Sequence, residues 1–169
     1  MDVSGGAAQT PVVGNPRKSN DNQLWWFEAG PAGNPGYFYI RSKLSPDLVV
    51  DITGGKITAP PPGLQLWTMN SSAQSAWQLW QYVPFVGQLP IQGYIQSLLA
   101  PKHVIDLKGG SGANPTGGTQ LIIFPLDTPI GLNQTWVPIP GPQNQYNPLI
   151  ETIVPWRYIP DVNITSLSG

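Results

Sequence analysis

The sequence predicts an all-β domain closed by three-fold repetition, and three observations carry that prediction. First, one phrase recurs: an apolar residue, Asp, a second apolar residue, any residue, then Gly-Gly. It is written as Met1-Asp2-Val3-Ser4-Gly5-Gly6, Val50-Asp51-Ile52-Thr53-Gly54-Gly55 and Ile105-Asp106-Leu107-Lys108-Gly109-Gly110. Second, each copy closes on Gln-x-Trp: Gln23-Leu24-Trp25, Gln78-Leu79-Trp80 and Gln134-Thr135-Trp136, with the Trp residues spaced 55 and 56 apart. Third, helical periodicity is weak. Short aromatic and β-branched runs dominate instead, bounded by Gly, Pro, Asn and Ser. A long-period repeat decides architecture before any single residue does.

The elements follow in order. In unit two, strands are predicted over 36–42, 48–52, 64–67 and 77–83. In unit three they fall over 93–97, 103–107, 119–124 and 134–137. Four strands in each of three units make a closed assembly, in which closure removes exposed strand edges. Unit one begins at its Asp phrase and lacks the first strand that units two and three place before theirs. Ile164-Thr165-Ser166-Leu167-Ser168 reads like Ile40-Arg41-Ser42-Lys43-Leu44 and Ile95-Gln96-Ser97-Leu98-Leu99. Two readings stand side by side: a circularly permuted chain whose C-terminal strand completes repeat one, or a truncated first unit with an unrelated tail. The repeats run over about 1–28, 36–83 and 92–138, so residues 1–138 form the core assembly. Residues 139–169 are a Pro-rich wrap and C-terminal strand of the same domain, with Trp156, Tyr158 and Ile159 as candidates for assembly into a homodimer.

Composition narrows the function classes. The chain has 169 residues, 20 Pro, 19 Gly and only 10% charged residues. That suits one domain of short elements joined by turns. A net charge of −1 and no basic run beyond Arg17-Lys18 exclude nucleic acid as an expected partner. The absence of Cys removes disulfide, thiolate-metal and thiol chemistry. With one His, His103, there is no transition-metal set, and no cofactor is expected. The acids Glu28, Asp127, Glu151 and Asp161 show no glycosidase spacing, so no enzyme activity is expected. The start lacks the pattern of a signal peptide, and no apolar run is long enough to span a bilayer. The expectation is a protein that is cytoplasmic or released without a signal peptide, with no membrane insertion. Asn70-Ser71-Ser72, Asn133-Gln134-Thr135 and Asn163-Ile164-Thr165 match the glycosylation triplet, and a glycan on Asn133 would block the candidate site described next.

The Asp phrase joined to Gln-x-Trp, three times in register, resembles the ricin-B-like (R-type) β-trefoil lectins, and most of all their cysteine-free mushroom type. Asp2-Val3-Ser4-Gly5-Gly6, Thr10-Pro11-Val12-Val13-Gly14 and Asp21-Asn22-Gln23-Leu24-Trp25 follow that pattern almost continuously. The resemblance covers residues 1 to about 138. It implies a β-trefoil and non-catalytic binding of galactose or N-acetylgalactosamine-type glycans on glycoproteins or glycolipids. It also implies one site per unit, made of an Asp, an aromatic platform and an Asn just before the Gln. A carboxylate accepts hydrogen bonds from two neighbouring sugar hydroxyls, and such charge-assisted bonds are strong. The amide donates and accepts. The Gln braces the loop and the Trp fills the core.

Carried over residue by residue, the resemblance makes the units unequal. Unit three holds the full set in Asp106, Phe124 and Asn133, braced by Gln134, and is the principal candidate. Unit one matches with Asp2, Asn22 and Gln23, but its platform position falls on Asn15. In unit two Asp51 and Gln78 match, the platform falls on Met69 with Trp67 as a possible substitute, and Trp77 replaces the Asn. Plainer roles compete. Asp before Gly-Gly commonly caps a turn, and Phe124 sits in an apolar run suited to a core. Asp106 is expected to be exposed, so replacing it with Ala should remove carbohydrate binding and leave stability nearly unchanged. Trp25, Trp80 and Trp136 are expected in the core. Shallow sites of this kind gain useful affinity by multivalency, as in a dimeric agglutinin. The rival reading is a β-trefoil protease inhibitor presenting the Pro/Gly-rich loop Thr58-Ala59-Pro60-Pro61-Pro62-Gly63.

Overall fold

The computed structural model describes residues 1–18, 20–72, 75–87, 92–110, 117–140 and 150–155. Within them run β1 (Asp2–Val3), β2 (Val12–Gly14), β3 (Trp25–Ala29), β4 (Phe38–Ser42), β5 (Leu48–Ile52) and β6 (Leu64–Thr68). Then follow β7 (Trp80–Pro84), β8 (Gly93–Ser97), β9 (His103–Leu107), β10 (Thr119–Pro125), β11 (Trp136–Pro140) and β12 (Ile150–Pro155). Every pairing is antiparallel.

Six strands close a barrel. β3 pairs β4, β4 pairs β7, β7 pairs β8, β8 pairs β11, β11 pairs β12, and β12 returns to β3. The other six form three hairpins, β1–β2, β5–β6 and β9–β10. The hairpins are joined in a ring by Pro11↔Gln65, Gly63↔Ile122 and Gly14↔Thr119. A six-stranded barrel with three hairpins under three-fold repetition is a β-trefoil.

The missing first strand of unit one is present in space. Trp80 pairs Phe38, the first residue of β4, and Trp136 pairs Gly93, the first residue of β8. Trp25 pairs Ile150, the first residue of β12. β12 therefore holds in unit one the place of β4 and β8, which is the permuted strand order. The stretch expected there, 164–168, lies outside the described residues, as do Trp156, Tyr158 and Ile159. The place is taken by Ile150–Pro155, which reaches it through a hairpin with β11.

One boundary differs from the sequence expectation. The Gln of each Gln-x-Trp is not in a strand but ends a one-turn 3₁₀ helix: Asp21–Gln23, Ala76–Gln78 and Leu132–Gln134. The strand starts two residues later, at the Trp. The turn brings the Gln amide round to the interior. All three Gln residues are buried. Trp25, Trp80 and Trp136 have no exposed surface and share one cluster with Val50, Ile105 and Leu121.

Candidate functional site

The same buried network is built three times. The Gln side-chain Nε2 donates to the Asp carboxylate: Gln23 to Asp2 at 2.8 Å, Gln78 to Asp51 at 2.9 Å and Gln134 to Asp106 at 2.9 Å. The same Nε2 donates to a loop carbonyl, of Pro16, Thr68 and Pro125. The Gln Oε1 accepts the backbone N–H two residues further on, from Lys18, Asn70 and Asp127. The Trp indole N–H meets the carbonyl of the residue before the Asp: Met1, Val50 and Ile105. Both halves of the repeated phrase are thus one hydrogen-bonded unit, in which each buried Asp and Gln has a partner where burial would otherwise penalise it.

All three Asp residues are buried, Asp106 to 3% exposure. That corrects the expectation of an exposed Asp106. Replacing it would strand the Gln134 and Asn133 amides, so it acts on stability as well as on any ligand. Burial also pushes the Asp51 and Asp106 carboxyls above their ordinary value of 3.8. The amide donors pull the other way, and Asp127 adds a further upward push on Asp106.

The strand register places the platform. Residues directly opposite across a pair share a sheet face, as do residues two apart along a strand. Asp2 faces Val13, Asp51 faces Gln65 and Asp106 faces Ile122. Two residues beyond lie Asn15, Trp67 and Phe124, each just before the loop carbonyl that the Gln holds. Trp67, and not Met69, is therefore the unit-two counterpart of Phe124. Met69 packs instead against Tyr39, Val49 and Leu79. Trp67 and Phe124, each 37% exposed, are among the few large apolar side chains left open to solvent.

The units then diverge. In unit one Asn22 donates to the Val3 carbonyl rather than to Asp2, and the platform position carries Asn15, so no aromatic face accompanies Asp2. In unit three Asn133 Nδ2 at 2.6 Å and Gln134 Nε2 at 2.9 Å both donate to Asp106 Oδ2. No hydrogen bond to Asp106 Oδ1 is found among the described residues. Asn133 Oδ1 is buried and without a partner among them. In unit two Gln65 donates to Asp51 Oδ1 at 3.0 Å and Gln78 to Oδ2. A cleft of about 370 Å³ opens over this carboxylate, lined by Asp51, Gly54, Gly55, Gln65, Trp67 and Trp77. Gly54 and Gly55 have φ of 76° and 63°, a conformation open to glycine and strained for most side chains. Gln65 and this cleft were not singled out from sequence. The signal was the alternation Leu64-Gln65-Leu66-Trp67, which puts Gln and Trp together on one face.

Among the described residues no cluster of His, Cys, Asp or Glu is arranged to hold a metal ion, and no helix is long and apolar enough to cross a membrane. No protein-family model matches the chain, and no curated protein matches it by sequence. Among solved structures it is similar to a chain described under "Structure and mode of action of a mosquitocidal holotoxin", with a TM-score of 0.64 and 17% identity. The match covers 80% of this chain and 15% of that one. At that identity the likeness is one of fold.

Proposed function

We propose that this protein is a non-catalytic carbohydrate-binding lectin. The observation that carries the reading is the pairing of a buried carboxylate with a partly exposed aromatic side chain on the same hairpin face, in units two and three. A carboxylate and an aromatic face together match a sugar ring, which carries hydroxyls on its rim and C–H groups on a face. The triple Asp and Gln-x-Trp resemblance to ricin-B-like lectins supports the same reading. In unit three, Asp106 Oδ1 is left to accept a hydroxyl on the hairpin face that also carries Phe124, which suits galactose or N-acetylgalactosamine-type ends on glycoproteins or glycolipids. Unit one, without a platform, is a minor contributor. Sites of this size bind single sugars weakly, so multivalency, within the chain or through a homodimer, supplies affinity. The rival inhibitor loop gains no comparable support. Its Pro62 carbonyl and Gly63 are tied to the β10 hairpin through Ile123 and Ile122.

A glycan array with wild type beside Phe124→Ala and the double variant Trp67→Ala, Phe124→Ala tests this. Both replaced side chains are partly exposed, so the variants should stay folded. Wild type should bind terminal galactose-type glycans, Phe124→Ala should lose most of that signal, and the double variant should bind nothing. A folded wild-type protein that retains no glycan on the array overturns the proposal.

A further inference from the structure

The unit-two cleft carries Gln65 where unit three has Ile122, and Trp77 stands in place of the amide that Asn133 supplies there. We propose that unit two binds all-equatorial hexopyranoses, such as glucose and N-acetylglucosamine, and that Trp77 is the residue that selects them. This rests on the carbohydrate reading above.

The argument begins with ring stereochemistry. An all-equatorial pyranose carries its hydroxyls around the rim and shows axial C–H groups on both faces. A galactose-type ring turns O4 axial, so one of its faces is polar. A single aromatic platform beside an amide suits the second shape, because the amide can meet a polar group. Unit two offers two indoles instead. Trp67 on β6 is 37% exposed, and Trp77, in the turn Ala76–Gln78, also lines the cleft. Both indoles line the same cleft. An axial hydroxyl turned toward an indole face would lose water without gaining a partner, which is unfavourable.

The polar groups of the cleft lie where a ring's rim would meet them. Asp51 Oδ1 and Oδ2 each accept one amide hydrogen, and a carboxylate has about four acceptor positions, so both keep capacity for hydroxyls. Gln65 spends its Nε2 on Asp51, which leaves its carbonyl oxygen to accept. The Gly54-Gly55 edge stays low. Nothing lies within 4 Å of a Cβ built on Gly54, and one built on Gly55 would sit 3.4 Å from the Trp77 ring. A volume of about 370 Å³ is at the small end of ligand sites, which run from roughly 300 to 1,000 Å³, and suits one or two sugar rings.

The test is a titration of ¹⁵N-labelled full-length protein, reading the indole N–H signals of Trp67 and Trp77 and the side-chain amide of Asn133. The sugars are methyl β-glucoside and methyl β-galactoside. The glucoside should move both unit-two indole signals with about tenfold higher affinity than the galactoside, as expected for one added aromatic contact. Trp77→Asn should abolish that preference and Trp77→Phe should keep it. Because Trp77 also packs on the core, the wild-type titration decides even if Trp77→Asn folds poorly. Equal or stronger response of the two indoles to the galactoside overturns the inference. So does silence at unit two while the galactoside moves Asn133, although the carbohydrate reading then stands. Silence at both units overturns both.

Discussion

Units two and three share a scaffold and differ in the side chains set around the buried Asp. In both, a Gln ties a buried Asp to a loop carbonyl, and a Trp N–H caps the carbonyl just before that Asp. Above this shared floor, unit two sets Gln65, Trp67 and Trp77, while unit three sets Ile122, Phe124 and Asn133. Asp51 spreads two donors over two oxygens, whereas Asp106 gathers both on Oδ2. Residues buried in the floor are constrained by hydrogen-bond accounting, since a stranded buried donor or acceptor is costly. Trp67 and Phe124, which are open to solvent, have water around them and are freer to vary.

If the scaffold really is common, equivalent core lesions should cost the same. Trp80→Ala and Trp136→Ala should each destabilise by about 3–5 kcal/mol, the usual cost of emptying a large buried side chain. Chemical denaturation measures both, and a near-wild-type value for either would break the equivalence.

The next effect is smaller. Gln78→Ala leaves Asp51 Oδ2 and the Asn70 N–H without a protein partner, and Gln134→Ala leaves the Asp127 N–H without one while Asp106 Oδ2 keeps Asn133, at about 1–3 kcal/mol apiece. Asp106→Ala should fall in the same range, which thermal melting would distinguish from the unchanged stability expected of an exposed acid. A clear gap between the two Gln variants would show that one unit leans on its Gln more than the other.

At the rim, Trp67→Ala and Phe124→Ala should change stability by about 0.5 kcal/mol or less, as for other surface substitutions. Each should reduce binding of its own ligand class while sparing the other. Competitive titration with glucoside and galactoside sharpens the comparison, and loss of both classes from one substitution would merge the two sites.

The pH response is the finest difference. Burial raises the Asp51 and Asp106 carboxyls above 3.8 in the folded state. The folded protein therefore binds more protons than the unfolded chain between 3.8 and those raised values. In that window these two groups add stability as pH falls and remove it as pH rises. Ligand binding runs the other way. Protonation takes away acceptor capacity, so affinity at both units should fade on acidification with a midpoint above 3.8. Asp51→Asn and Asp106→Asn should each remove the pH dependence at their own unit. A midpoint at or below 3.8 would contradict the burial argument.

Much of this was readable before any coordinates. The fold class, the four-strand rhythm and the core roles of Trp25, Trp80 and Trp136 follow from repetition and alternation, which are local properties of a chain. The bracing role of Gln78 and Gln134 was implied by the resemblance to the ricin-B-like lectins. The platform of unit two was misplaced by two residues because the length of the loop before Gln78 does not reveal strand register. Only the pairing of Asp51 with Gln65 makes Trp67, rather than Met69, the counterpart of Phe124.

The sequence by itself determined that three equivalent units would build one all-β domain, because each repeats the same strand pattern between the same Asp and Gln-x-Trp phrases. Tertiary structure decided which strand completes unit one. Ile150–Pro155 has no phrase to announce it and is selected by its backbone pairing with Trp25 and β11. It also decided that Asp106 is buried and that Trp67 and Trp77 share a cleft. Burial and convergence depend on residues distant in the chain, and no local pattern encodes the distance between them.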